Sequence, residues 1–158
     1  MSEQLTIQQR TFIRVPVEEI YDTLTTAAGW NAWFTDGTNV NIKNGKGEIH
    51  LVWIGLGGNK NTIEDGGPIT KADPNRCFEF KWSPAKNLIT TVTFTFERKE
   101  NGTYLTVTDS GYDFDNLSAL TMCSTGWGEA LTLLKFYLEY GIIDKHPESK
   151  PIKEKREI

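Results

Sequence analysis

Acidic side chains are the main candidates for chemistry in this sequence, because histidine and cysteine occur only twice each. A carboxylate or an imidazole can act as a general acid or base when it lies inside an apolar pocket. Five such residues fall on or near segments with strand-like alternation: Glu64, Asp65, Glu79, Asp109 and His50. The predicted strands decide which of these side chains could face a pocket.

Strand parity separates these candidates, because successive side chains of a strand point to opposite faces of the sheet. Glu79 falls between two phenylalanines and His50 between two aliphatic residues, so both should face solvent. Asp109 shares the parity of Leu105 and Val107 and should face inward. It is therefore the single best candidate for a catalytic carboxylate, although an aspartate at the end of a strand commonly serves a turn.

The remaining reactive residue types do not predict a site. His50, His146, Cys77 and Cys123 are far apart in the sequence and lack the spacing of zinc or iron ligands, so no metal site is expected. Two cysteines are too few for a disulfide framework. Cys123 lies just ahead of the predicted long helix, where a helix dipole could lower the pKa of a thiol, but a loop cysteine without a function is the simpler interpretation.

A glycine-rich segment over residues 54–59 resembles a phosphate loop only superficially. It reads IGLGGN and lacks the lysine and the following serine or threonine that contact phosphates. We interpret it as a hairpin tip at the entrance of a pocket, and we expect no cofactor.

Aromatic side chains form a second kind of candidate site, because they recur on strand faces that all point one way. An apolar wall with few polar groups is typical of small-molecule pockets. For any single ring, packing in the core is the simpler interpretation. The residues expected to line the pocket are Trp33, Phe34, Trp53, Phe80, Trp82, Phe94, Trp127, Leu131 and Leu134.

The first part of the chain predicts one strand and two short helices. Residues 5–15 alternate loosely and end at Pro16, whose fixed φ suits the start of a helix near Val17. Helical spacing fades at Thr25, and residues 27–34 give a second short helical pattern that ends on aromatic residues.

Six strands are predicted to follow as one antiparallel meander. Alternation of period two marks the segments around Trp53, Phe80, Phe94 and Leu105. Turns are expected at Asn44-Gly45, Asp65-Gly66-Gly67-Pro68, Asp73-Pro74-Asn75 and Asn101-Gly102. Residues 59–72 are expected to pair as a strand, since without them the sheet would be shorter and the pocket more open.

A long helix is predicted near the end of the chain. It follows a loop over residues 111–125 and carries Trp127, Leu131 and Leu134 at helical spacing. Gly141 is placed to cap it.

Contiguous strands, rather than strands alternating with helices, predict the α+β class. A curved sheet of seven antiparallel strands must bury its apolar face, and only the long C-terminal helix can cover it. The two short helices would close one end. We expect one domain over residues 1–143 and a charged, frayed tail over residues 144–158.

Charge and hydropathy exclude several functional classes. The chain has 17 basic and 21 acidic residues, and no basic run flanks an aromatic series, so nucleic acid is not an expected partner. No stretch approaches the roughly 18 consecutive apolar residues of a membrane span, and the polar N-terminus has no apolar signal region. We expect a cytoplasmic protein with reduced thiols.

The order and spacing of several short motifs resemble one protein family over residues 10–141. The motifs are Val15–Tyr21, Trp33-Phe34, Gly47, Asp73-Pro74, Thr91–Phe94, Gly102-Thr103, Leu105–Thr108, Ser110–Tyr112, Gly126-Trp127 and Leu134–Glu139. They are similar to those of homologues of the activator of heat-shock protein 90 ATPase, within the START-like (SRPBCC; polyketide cyclase, Bet v-like) superfamily. The resemblance implies a helix-grip fold, in which the curved sheet grips the C-terminal helix around an apolar pocket.

Departures from the family pattern concern the ligand rather than the fold. They are Phe34 in place of a second tryptophan, the Gly/Asn-rich residues 55–61, and Asp109 where histidine is frequent. Three functions stay open. The first is binding of a small apolar or aromatic ligand, as the resemblance implies; the second is a co-chaperone-like interaction with another protein, implied by the family name; the third is a cyclase- or hydrolase-type enzyme.

Overall fold

The computed structural model describes residues 4–55, 61–145 and 152. Its elements, in chain order, are β1 (Leu5–Ile13), α1 (Val17–Thr25), α2 (Ala27–Trp33), β2 (Asn39–Lys43), β3 (Lys46–Ile54), β4 (Thr62–Asp73), β5 (Cys77–Ala85), β6 (Leu88–Lys99), β7 (Gly102–Tyr112) and α3 (Leu117–Tyr140). Both short helices and their starting residues agree with the sequence prediction.

The seven strands form one antiparallel sheet in the order β1-β7-β6-β5-β4-β3-β2. Strands β2 to β7 are a meander in which each strand pairs with the next, and β1 pairs with β7 at the far edge. The curved sheet packs against the long helix α3, so the fold is the α+β helix-grip fold that the sequence predicted. The pairing of residues 62–73 as β4 confirms that this segment belongs to the sheet.

One predicted turn is wrong, because Asp65–Pro68 lies inside β4. The two glycines there allow the neighbouring backbones to come close: a β-carbon on Gly66 would lie 2.1 Å from the carbonyl oxygen of Ile49, and one on Gly67 would lie 2.5 Å from that of Lys81. Glycine at these positions therefore serves close contact between strands in a curved sheet, and not chain reversal.

The reversal between β3 and β4 falls earlier in the chain, where Gly55 N–H donates to the carbonyl oxygen of Asn61 at 3.2 Å. Most of the segment interpreted as a hairpin tip, residues 56–59, lies outside the described residues. The predicted turns after β2, β4 and β6 are confirmed, with Asn44 and Asn75 in the left-handed region.

The long helix begins at Leu117, so residues 117–125 are helical and not part of a loop as predicted. A 3-10 turn at Phe114–Asn116 precedes the helix, and Asp113 caps this turn: its carboxylate accepts from the Asp115 N–H at 2.9 Å, and its own N–H donates to the side-chain oxygen of Asn116 at 3.2 Å. These two bonds satisfy donors that a helix start leaves open. At the other end, Gly141 adopts φ 69° and caps the helix as predicted.

Beyond α3 the described chain turns back toward α2. Lys145 Nζ donates to the carbonyl oxygens of Asn31 at 2.9 Å and Thr35 at 3.2 Å. Nearly all of the predicted tail after this point lies outside the described residues, and its frayed character stays a prediction. In the part of the chain that is described, no helix has both the length and the apolarity needed to cross a membrane.

Candidate ligand-binding site

A cavity of about 350 Å³, partly open to solvent, lies between the sheet and α3. Strands β3, β4 and β5 form one wall, the residue after α2 closes one end, and the first half of α3 forms the opposite wall. The lining residues are Phe34, Trp53, Ile63, Glu64, Asp65, Trp82, Ser83, Pro84, Met122, Cys123, Gly126, Trp127 and Ala130. The wall is therefore mainly apolar and aromatic, with a small number of polar groups.

The aromatic rings of the lining contact one another in two pairs. Phe34 meets Trp53 edge to face, with ring centroids 5.5 Å apart, and Trp82 meets Trp127 in a tilted contact at 5.3 Å. Mutual packing of this kind fixes the rings before any ligand arrives.

Four residues predicted for the pocket line this cavity, namely Phe34, Trp53, Trp82 and Trp127. The other five lie in the buried core beside it: Trp33, Phe80, Phe94, Leu131 and Leu134. Three of the five support the lining directly, because Trp33 stacks on Phe34, Phe80 meets the edge of Trp82, and Phe94 meets the edge of Trp127.

Several lining residues were not among those expected to line the pocket. Met122 and Cys123 lie in the part of α3 that was predicted as loop, Gly126 follows it directly, and Asp65 lies in the stretch predicted as a turn. Asp113, which caps the 3-10 turn ahead of α3, was the available signal for an earlier helical start, since aspartate is favoured at a cap position.

Asp109 is fully buried behind Trp127. Its Oδ2 accepts from the hydroxyl of Tyr112 at 2.8 Å and from the indole Nε1–H of Trp127 at 3.1 Å. Its Oδ1 has no hydrogen-bond partner among the described residues. The inward orientation predicted from parity is confirmed, and Asp109 orients a tryptophan of the cavity wall. It does not itself line the cavity, and a catalytic role for it remains a hypothesis.

Asp65 is half-buried at the cavity wall. Its Oδ1 accepts from the backbone N–H of Gly66 at 2.7 Å and of Ser83 at 2.8 Å. Burial raises the pKa of Asp65 above its ordinary value, and the charge of Asp109 adds to this, whereas the two hydrogen bonds oppose it. The cavity wall therefore disfavours an ionised Asp65 when no cation is near.

Cys123 lies in the second turn of α3, and burial raises the pKa of its thiol. The effect of a helix dipole considered from the sequence is therefore not the dominant one. Tyr112 contacts the same thiol, and burial raises the pKa of its hydroxyl as well. Both groups stay protonated at neutral pH and are not activated nucleophiles.

We expect the free energy of unfolding of Asp65→Asn to equal or exceed that of the native chain at neutral pH. A pKa raised in the folded state contributes stability below the unfolded-state pKa, and this contribution is lost as pH rises through the folded value. The asparagine oxygen can keep both backbone bonds. Denaturant unfolding from acid to neutral pH should show the variant's advantage growing with pH, and an advantage that grows toward acid would contradict this.

The other acid–base candidates lie away from the cavity or at its edge. Glu79 accepts from the hydroxyls of Thr70 and Thr93, each at 2.8 Å, on the sheet face opposite the core. His50 is exposed and lies 3.5 Å from Glu64, which is itself exposed. The predicted outward orientation of Glu79 and His50 is thus confirmed.

Comparisons with known proteins give a family and a set of similar folds. A model of the family described as Activator of Hsp90 ATPase homolog 1-like protein matches residues 14–139. No curated protein matches the chain. Similar solved structures include protein SSP2350 from Staphylococcus saprophyticus, with 21% identity and TM-score 0.71, covering 90% of this chain and 97% of that one.

Two further structures have comparable similarity. The Aha1 dimer from Colwellia psychrerythraea has 25% identity and TM-score 0.69, covering 87% of this chain and 98% of that one. CalU16 from Micromonospora echinospora has 21% identity and TM-score 0.64, covering 94% of this chain and 80% of that one. The similarity to the two structures with 21% sequence identity shows that they share the fold of this chain.

Proposed function

Because the chain belongs to the family of Activator of Hsp90 ATPase homolog 1-like proteins, we propose that it binds a small apolar or aromatic molecule in the cavity between the sheet and α3. The observation that carries this proposal is the aromatic lining of that cavity. Its volume of about 350 Å³ falls within the usual range for small-molecule sites.

Hydrogen-bond donors without an acceptor in the lining give further support for a bound ligand. Trp53 is only 6% exposed, yet its indole Nε1–H has no acceptor among the described residues, and the same is true of the buried Nε1–H of Trp82. An unsatisfied buried donor costs on the order of 1 to 3 kcal/mol. A ligand with an acceptor in the cavity would remove that cost.

Two glycines of α3 give a matched test of this proposal. Gly126 lines the cavity and Gly128 does not, and a β-carbon built on either meets no atom within 4 Å. Leucine at either position should stabilise the helix by about 1 kcal/mol, because glycine is a poor helix former. Only Gly126→Leu should add bulk to the cavity wall.

We therefore expect a thermal-shift screen against lipids, aromatic compounds and polyketide-like compounds to find ligands that raise the melting temperature of the native chain. The same compounds should stabilise Gly128→Leu equally and Gly126→Leu far less. Equal stabilisation of the two variants would place the binding elsewhere, and a flat response of the native chain would contradict the proposal.

A second candidate function is a co-chaperone-like interaction with another protein. It is favoured by exposed apolar side chains around the start of α3, among them Phe114, Leu117 and Met122. The test is the ATPase rate of a purified chaperone: an increase that Phe114→Ser with Leu117→Ser abolishes would support this function. No change at saturating protein would remove it.

A cytoplasmic location is part of the same proposal. It is supported by Cys77 and Cys123, which are both free thiols.

A cyclase- or hydrolase-type activity is the third candidate function, since the buried Asp109 does not line the cavity.

A further inference from the structure

We propose that the ligand of this cavity is an organic cation, a protonated amine carried on an apolar or aromatic body. This inference rests on the proposed binding function and specifies the charge of the ligand. Three features of the cavity support it: the acidic charge of the wall, the carboxylate oxygens that have no hydrogen-bond donor, and the aromatic rings of the lining.

The described residues that line the cavity carry acidic groups and no basic group. Glu64 and Asp65 are on the wall, whereas no lysine, arginine or histidine is among the lining residues. Asp109 adds a third carboxyl group behind Trp127, close enough to act on the pKa of Asp65. A cation in the cavity would be attracted by the ionised carboxyl group of Asp65, and an anion would be repelled.

Each of the two inner carboxyl groups has one oxygen without a hydrogen-bond donor among the described residues, and only that of Asp65 belongs to a residue of the lining. Asp65 uses Oδ1 for both of its backbone hydrogen bonds, and no described residue donates to its Oδ2. Asp109 uses Oδ2 for Tyr112 and Trp127 and has no described partner at Oδ1. An ammonium group at Asp65 would form a charge-assisted hydrogen bond, which is stronger than one between neutral groups.

Titratable groups around Asp65 do not neutralise it. Glu64 precedes it on β4 and pairs with His50 of β3 outside the cavity. From β7 come Asp109 and Tyr112, and from α3 comes the protonated thiol of Cys123. The cation on β5 is Lys81, which is exposed and whose ammonium group donates to the hydroxyl of Thr91 at 3.2 Å.

The aromatic lining suits the rest of such a molecule. Trp53, Trp82, Trp127 and Phe34 are on the cavity wall, and tryptophan is the ring that attracts cations most strongly, within about 6 Å of its centroid. The unpartnered indole N–H groups of Trp53 and Trp82 call for an acceptor on the same ligand, such as a hydroxyl or carbonyl oxygen.

Three compounds that share one phenethyl body test the inference: phenethylamine, phenethyl alcohol and hydrocinnamate, which are a cation, a neutral molecule and an anion at neutral pH. Naphthyl analogues extend the series to a larger body. We expect calorimetry on the full chain to give about ten-fold tighter binding of the amines than of the alcohols, and the weakest binding for the carboxylates.

Asp65→Asn should reduce the preference for the amine to nearly none, while the alcohol binds at least as well as before. Glu129→Gln is the matched control, because this α3 carboxylate does not line the cavity, and it should keep the preference. The amine should also bind more weakly as Asp65 becomes protonated at acid pH, whereas the alcohol should not.

The outcomes separate the inference from the function on which it rests. If the alcohols or carboxylates bind as tightly as the amines, the ligand is not a cation and the binding function stands. If Asp65→Asn keeps the preference for the amine, Asp65 does not bind the ammonium group, which overturns the inference as argued and leaves the binding function intact. If no phenethyl or naphthyl compound of any charge binds, and the broad thermal-shift screen is also flat, the cation inference and the binding function both fail.

Discussion

Replacing Asp109 by alanine should lower the free energy of unfolding by about 3 kcal/mol, because two buried donors would lose their acceptor. Tyr112 and Trp127 both donate to Oδ2 of this side chain, and neither has another route to solvent water in the folded state. Denaturant unfolding followed by tryptophan fluorescence measures the loss. An alanine variant as stable as the native chain would show that these bonds contribute nothing net.

The matched control for this prediction is Asp109→Asn. Asparagine keeps one acceptor oxygen for Tyr112 and Trp127, so we expect a smaller loss than for alanine. The two variants also differ in their expected effect on the cavity. Since Trp127 lines it, alanine at position 109 should weaken ligand binding and asparagine should preserve it.

The fold could be predicted because the strands have a recognisable alternating pattern in the sequence. Alternation around Phe80, Phe94 and Leu105 reflects a sheet with one buried face, and such a pattern has few competing interpretations. The segment containing Gly66 and Gly67 was misread as a turn for a physical reason. Glycine serves both chain reversal and close strand contact, and only the positions of the neighbouring strands distinguish them.

The early part of α3 was missed because its composition does not favour a helix in isolation. Residues 117–126 include serine, threonine and glycine, all of which have low helix propensity. The helix forms there because the capped 3-10 turn at Phe114–Asn116 leads into it and because packing of the helix on the sheet outweighs propensity. This error removed Met122 and Cys123 from the predicted site.

The candidate site could be predicted only to the level of which rings point inward. Parity places Phe80 and Trp82 on the same face of β5, but Phe80 is in the core and Trp82 lines the cavity. Position along the strand, and not parity, decides between these outcomes. The bond from Trp127 to Asp109 joins residues 18 positions apart on different elements, and a sequence pattern cannot reveal it.

Replacing Glu139 by alanine should lower the free energy of unfolding by about 2 kcal/mol. Its side chain is only 2% exposed and bonds to the Arg14 N–H and Nε–H at 2.9 Å each and to Lys135 at 3.1 Å. Arg14 is largely exposed, so the loss is smaller than for an ion pair deep in the core. Thermal and denaturant unfolding at low ionic strength measure it.

Acid pH provides a second measurement on Glu139. Burial raises its pKa, but the bonds from the Arg14 backbone and guanidinium and from Lys135 outweigh this, so the pKa lies below its ordinary value. Such a group contributes stability above the unfolded-state pKa and loses it as pH falls through the folded-state pKa. The stability difference between the native chain and Glu139→Gln should therefore shrink on acidification.

The control for Glu139 is Glu97→Ala, whose side chain pairs with Arg10 and Lys99 at the surface and is 55% exposed. We expect a much smaller loss there, because water screens an exposed ion pair. A similar small loss for Glu139 would contradict the prediction.

The contrast matters for the site because Glu139 joins the end of α3 to Arg14, which follows β1, while Asp109 holds Trp127 nearer the start of α3. With both contacts in place, α3 is held at Trp127, within the part of the helix that lines the cavity, and again near its C-terminal end.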